Sequence, residues 1–122
     1  MTAAPDAEVG PRMVLDCADP DRLAGFWAAA LGYEHVGTFG KYGMLMARDR
    51  SGGRFALQAV PEPKRHKNRM HIDLVVGDIE NTADQLESLG ARRDAAGLRE
   101  EQGHQWIVMA DPEGNEFCVC AR

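Results

Sequence analysis

The sequence predicts an α+β domain of two tandem β-α-β-β-β units whose curved, mixed sheets surround a central cleft. Three observations carry this reading. A strand-like run, Met13 to Cys17, passes through Asp19-Pro20 into an amphipathic stretch that stops at Gly32. A second run, Met70 to Val76, passes through Asp78 into a similar stretch that stops at Gly90. The two aspartates lie 59 residues apart in a chain of 122, and short β-permissive runs follow each helix in the same order. A fixed offset between like elements is the mark of an internally repeated architecture.

In the first unit, Asp19 is an N-cap and Pro20 takes the first helical position, where a missing N–H does no harm. Leu23, Phe26, Trp27, Ala30 and Leu31 fall on one helix face. Gly32 ends the helix as a left-handed C-cap. Tyr33 to Val36 reads as a short strand and Gly37 to Gly43 as a turn-rich approach to the strand Met44-Leu45-Met46-Ala47. Asp49 to Gly53 is a loop of hairpin type, and Arg54 to Val60 is a strand closed by Pro61 and Pro63. This unit covers about residues 12–61, and a connector at 62–68 follows.

The second unit, 69–122, repeats the order. Its strand Met70 to Val76 leads to the Asp78 cap and an apolar stripe of Ile79, Ala83, Leu86 and Leu89. A weak strand around Ala91 to Asp94 precedes a polar loop through Gly103. Gln105 to Ala110 and Glu116 to Cys120 are strands about the tight turn Asp111-Pro112-Glu113-Gly114-Asn115.

Composition narrows the function classes. With 44% apolar and 27% charged residues the chain reads as an ordinary globular domain, long enough to bury a core. A net charge of −5 argues against nucleic acid as a general partner. The basic run Lys64-Arg65-His66-Lys67-Asn68-Arg69 is the exception, either a solvated connector or a contact for an anionic ligand. No apolar run approaches the roughly 18 residues of a membrane span, so no membrane role is expected. Residues 1–11 show no signal pattern and read as a disordered polar lead. Cys17, Cys118 and Cys120 are an odd number, and the last two would project in parallel from one strand. Reduced thiols in a cytoplasmic protein are the expectation.

Three stretches resemble the vicinal oxygen chelate superfamily, specifically its small glyoxalase-like, bleomycin-resistance-like proteins. They are Val14 to Pro20 with Phe26-Trp27 and Leu31-Gly32-Tyr33, then Lys67 to Leu74, then Trp106 to Val119. The resemblance implies the glyoxalase/bleomycin resistance/dioxygenase fold, a small-molecule ligand and a homodimer in which clefts are completed between subunits. It does not choose among isomerases, lyases, dioxygenases and drug-sequestering proteins, because one scaffold hosts them all. Metal-dependent relatives place His, Gln or Glu at the start of the first strand and near the end of the fourth strand of each unit. In this chain those positions align with Arg12, about Gln58, His71 and Cys118. Arginine has no acceptor and is no ligand, so the set departs from the pattern and no catalytic metal is expected. A divalent ion, if held at all, would fall to His71, Gln58 and Glu116.

His71 is the foremost catalytic candidate, since imidazole as a class titrates near neutrality. The plain alternative is a residual histidine bonded to a core partner. Asp73 shares its strand face and would orient the imidazole or pair with Arg69 or Arg12. Arg12 would hold a ligand carboxylate or phosphate, or neutralise Asp16 or Asp73. Trp106, Met44, Met46, Gln58 and Cys118 complete the candidate ligand wall, with Tyr42 alongside. Trp27 belongs to the core.

Three functions stay open. One is metal-free binding of a small organic molecule. The second is a metal-dependent lyase, isomerase or dioxygenase. The third is a metal-free isomerase or dehydratase with His71 as general base and Arg12 steadying an anion.

Overall fold

The structure is a computed structural model that describes residues 12–49 and 53–121. The expected polar lead at 1–11 and the middle of the Asp49–Gly53 loop lie outside the described residues. Ten elements follow in order: β1 (Met13–Cys17), α1 (Pro20–Leu31), β2 (Tyr33–Phe39), β3 (Tyr42–Ala47), β4 (Arg54–Ala59), β5 (Asp73–Val76), α2 (Ile79–Ser88), β6 (Arg92–Glu101), β7 (His104–Ala110) and β8 (Glu116–Ala121). They form two four-stranded sheets of like topology, β1-β4-β3-β2 and β5-β8-β7-β6. In each, the first and last strands of the unit pair in parallel and the remaining pairs are antiparallel. The predicted pair of β-α-β-β-β units is therefore the observed one.

Both helices start as their sequences require. The Asp19 carboxylate accepts from the Arg22 N–H and the Asp78 carboxylate from the Asn81 N–H, each meeting one of the donors a helix start leaves free. Gly32 ends α1 at φ 68°, a backbone state that costs an L side chain about 1–2 kcal/mol. α1 lies close over β3: a Cβ on Gly43 would stand 3.1 Å from the Pro20 carbonyl oxygen.

Two elements are longer than their sequences suggest. β2 runs on to Phe39 through a register irregularity between His35 and Gly37. β6 spans ten residues, where the sequence reads mainly as loop. It is an edge strand with most residues exposed, so it shows no apolar alternation; a bulge between Arg93 and Leu98 breaks the period further. Gln102 and Gly103, both at positive φ, turn it tightly into β7. Conversely β5 begins only at Asp73, and Met70 is exposed. Leu89, expected in the α2 stripe, is the exposed C-cap residue, while Ile79, Ala83 and Leu86 are buried.

One apolar core joins the units. Trp27 of α1 sits between Phe55 of β4 and Phe117 of β8, with ring centroids 5.7 Å and 5.1 Å away, and Phe26 meets it edge-on at 5.1 Å. Each such aromatic pair contributes about 0.5–1.5 kcal/mol beyond its buried area. The Trp27 indole N–H donates to Asp111 Oδ2 at 3.1 Å, and Asp111 is fully buried. The Asp111 carboxylate also accepts from the backbone N–H groups of Glu113 and Asn115 and from the Asn115 amide. A charge taken out of water is tolerated only with such saturation. Next to it, Glu113 accepts from the Ala18 and Asp19 N–H groups at 2.7 and 3.0 Å, a second tie from unit two to the start of α1.

Among the described residues no helix is long and apolar enough to cross a membrane.

Trp27→Phe keeps the ring but removes the donor, and should cost about 1.5–3 kcal/mol by chemical denaturation. Asp111→Ala, which abandons the Asn115 amide, the turn N–H groups and the indole together, should cost more than Trp27→Phe. Equal effects would contradict the role given to the carboxylate.

Candidate functional site

Each sheet has one face turned to the shared core and one that neither helix covers among the described residues. On the first sheet the register puts Val14, Asp16, Ala56, Gln58, Tyr42, Met44 and Met46 on this open face. On the second it holds Asp73, Val75, Val108, Trp106, Cys118 and Cys120. Val14, Phe39, Tyr42 and Val75 are exposed there, while Met44, Met46, Gln58 and Trp106 are half-buried. The Trp106 ring stacks on His104 at 5.5 Å.

His71, Asp73 and Cys118 come together on the second open face. His71 stands two residues ahead of Asp73, the first residue of β5, and Asp73 lies opposite Cys118 in the parallel β5–β8 register. The Cys118 N–H donates to the Ile72 carbonyl at 2.9 Å, fixing the backbone between His71 and Asp73. His71 Nε2 is 3.3 Å from Asp73 Oδ1, with the two side chains 43% and 53% exposed. The donor atoms of all three residues lie within 4.8 Å of one another. Burial raises the pKa of the Cys118 thiol; the Asp73 charge and a hydrogen bond to Asp73 raise it further, opposed by Lys67 and Arg99. Cys120 is pushed up to about 11, chiefly by burial and then by Asp73 and Cys118, so both thiols are protonated at neutral pH.

The other sequence-predicted residues lie elsewhere. Arg12 is exposed just ahead of β1, and Asp73 pairs with His71 rather than with it. Glu116 shares the Cys118 strand face but is turned to the connector: it accepts from Lys64 Nζ at 2.9 Å and from the Asn68 N–H at 3.0 Å. Burial alone would raise its pKa, but these two partners hold it below the usual carboxylate range. The register also relates the two halves. With His71 matching Arg12 and Asp73 matching Val14, the counterpart of Cys118 is Ala56, and the counterpart of Gln58 is Cys120. The period-2 spacing of Asp73 from His71 put the two on one face in the sequence, and the structure has them in contact.

A cavity of about 860 Å3 opens between the units, bounded by Val14 to Asp19, by the connector residues Lys64, His66 and Asn68, and by Arg69 and Glu113. None of His71, Asp73, Cys118, Gln58, Trp106, Met44 and Met46 lines it.

The profile of the glyoxalase-like domain matches residues 12–120, nearly the whole described chain. The chain belongs to the glyoxalase-like domain family of the vicinal oxygen chelate superfamily. No curated protein sequence matches it significantly. Solved structures similar to this glyoxalase-like domain include a glyoxalase/bleomycin resistance protein/dioxygenase family enzyme from Burkholderia phytofirmans, 13% identical, covering 90% of this chain and 95% of that one with a TM-score of 0.74. The fosfomycin resistance protein FosX from Mesorhizobium loti is 15% identical over 96% and 94%, with a TM-score of 0.71. A lactoylglutathione lyase from Agrobacterium tumefaciens is 17% identical over 97% and 96%, with a TM-score of 0.66. At these identities the likeness establishes the fold.

The chelate that metal-dependent members build across two units does not fit this glyoxalase-like domain. Unit one presents Arg12, a permanent cation without an acceptor, and Ala56, a methyl group, where ligands would have to stand. Gln58, which the sequence aligned with a ligand position, is instead the counterpart of Cys120.

Two outcomes follow from these environments. Glu116→Gln should lower the melting temperature at neutral pH. Because the folded pKa is depressed, the carboxylate's contribution is present above its ordinary pKa and lost as pH falls through the folded value, so wild type and variant should converge in acid. Cys118 should alkylate slowly at neutral pH, and Asp73→Asn, which removes an opposing charge and an acceptor, should speed the reaction, as followed by mass spectrometry across a pH series.

Proposed function

We propose that this glyoxalase-like domain binds a small organic molecule over the open sheet faces without the cross-unit metal chelate of its metal-dependent relatives. The observation that carries the reading is the pairing of an uncovered, partly apolar face with converging polar groups. Val75, Trp106 and Val108 supply apolar contact area, and His71 and Asp73 stand exposed at its edge. The missing half of the chelate, Arg12 and Ala56, supports binding or sequestration over metal-assisted chemistry. One similar structure is a fosfomycin resistance protein, and drug resistance is one role that such binding would serve. A second copy would lay its first sheet over the second sheet of its neighbour, covering Val14, Phe39, Tyr42 and Val75 and closing the cleft. The cytoplasm is the compartment in which its three free thiols persist.

A thermal-shift panel of small organic acids, aromatic amides and phosphonates tests this. A binder at 100 times its Kd should add about 2.7 kcal/mol of stability. The shift should vanish in Trp106→Ala and in Val75→Asp, and the bound protein should sediment as a dimer. A panel without any stabilising compound, or stabilisation that survives both substitutions, would reject the reading.

A further inference from the structure

We propose that the groove between the outer edge of β1 and the connector binds a short peptide with free termini, laid along β1 as an added strand. The inference goes beyond binding over the open sheet faces. The groove runs along an edge of the first sheet, and none of His71, Val75 and Trp106 lines it.

β1 is the outer strand of its sheet and has a neighbour, β4, on one side only. In a parallel ladder, alternate residues turn both of their backbone groups to the same side. The Cys17 carbonyl accepts from the Val60 N–H at 2.9 Å, so Met13, Leu15 and Cys17 are the residues that serve β4. Val14 and Asp16 therefore turn their N–H and C=O groups outward, toward the cavity of about 860 Å3 that they line. Ala18 continues the outward row, and its N–H donates to the Glu113 carboxylate at 2.7 Å. The unpaired donors and acceptors of a strand edge are a template for another extended backbone.

The charges around the cavity select the ends of that backbone. Asp19 is committed to the α1 cap, Glu113 to the Ala18 and Asp19 N–H groups, and Lys64 to Glu116. Arg22, Arg69, Asp16 and Glu62 line the same cavity, and among the described residues their side chains form no hydrogen bond or ion pair. Guanidiniums and carboxylates that share one cavity without pairing complement a ligand bearing both signs of charge. Arg22 and Arg69 would take the peptide carboxylate, and Asp16 and Glu62 its ammonium group. The volume falls within the roughly 300–1,000 Å3 of small-molecule sites, which fits a peptide of a few residues and not the edge of another domain.

The test is a nitrogen-15 NMR titration of the full chain with tri-alanine carrying free termini. The same peptide blocked at both ends, and the same peptide methylated at its amide nitrogens, are the comparisons. Free tri-alanine should move the Val14, Asp16 and Ala18 amides saturably. Blocking the ends or methylating the amides should each weaken binding about tenfold or more. Arg69→Gln and Asp16→Asn should weaken the free peptide to a similar extent and leave the blocked one unchanged. Trp106→Ala, on the open face of the second sheet, should not alter the titration. No saturable movement, movement confined to open-face residues, or equal affinity for free and blocked peptides would overturn the proposal. So would movement of the Val14 and Asp16 amides with protein concentration alone, which would give this edge to a second copy. The three-peptide comparison on the wild-type chain decides even where a variant fails to fold. A negative result leaves open-face binding standing, because that reading is tested through Trp106 and Val75.

Discussion

The structure depends on one buried carboxylate. Asp111 has no access to water and needs every hydrogen bond it can accept. Four hydrogen bonds from three donor groups of its own turn, and one from the Trp27 indole, meet that demand. The turn residues fix the shape of the link between β7 and β8. The indole brings in α1 from the other unit, and with it the Trp27 ring between Phe55 and Phe117. Glu113, two residues on, ties the same turn to the backbone ahead of α1. Polar saturation and aromatic packing act at one place, so the two units dock in a single relative orientation and share one core.

That docking leaves the opposite sheet faces uncovered. Both helix-bearing faces are consumed by the common core, and the residues able to touch a ligand stand on the other side. The parallel pairing of β5 with β8 then sets Asp73 against Cys118, and strand alternation brings His71 to the same face. The equivalent pairing in unit one sets Val14 against Ala56. Two copies of one backbone plan thus carry unlike chemistry. The polar cluster belongs to unit two, and unit one offers an apolar wall with Met44, Met46 and Tyr42.

Glu116 is held away from the place expected of it, whereas Asp73 stands beside the imidazole as expected. Both are carboxylates near Cys118, but Glu116 lies closer to the turn, where Lys64 and the Asn68 N–H bend the connector across it. An ion pair with a backbone bond added holds that side chain away from the open face. Asp73 stands beside the imidazole and the thiol.

The sequence by itself determined the duplicated β-α-β-β-β plan, both helices with their aspartate N-caps, and the core role of Trp27, because N-caps, helical periodicity and the 59-residue offset are local signals. His71 and Cys118 were marked as candidate site positions through the family resemblance. β6 was not legible, since an exposed edge strand has no buried face to impose an alternation. The partner of Glu116, the convergence of Asp73 with Cys118, and the equivalence of Ala56 with Cys118 were decided only by tertiary structure. Each depends on parallel strand register and on the path of the connector, which join residues more than forty positions apart and leave no periodic trace in the chain.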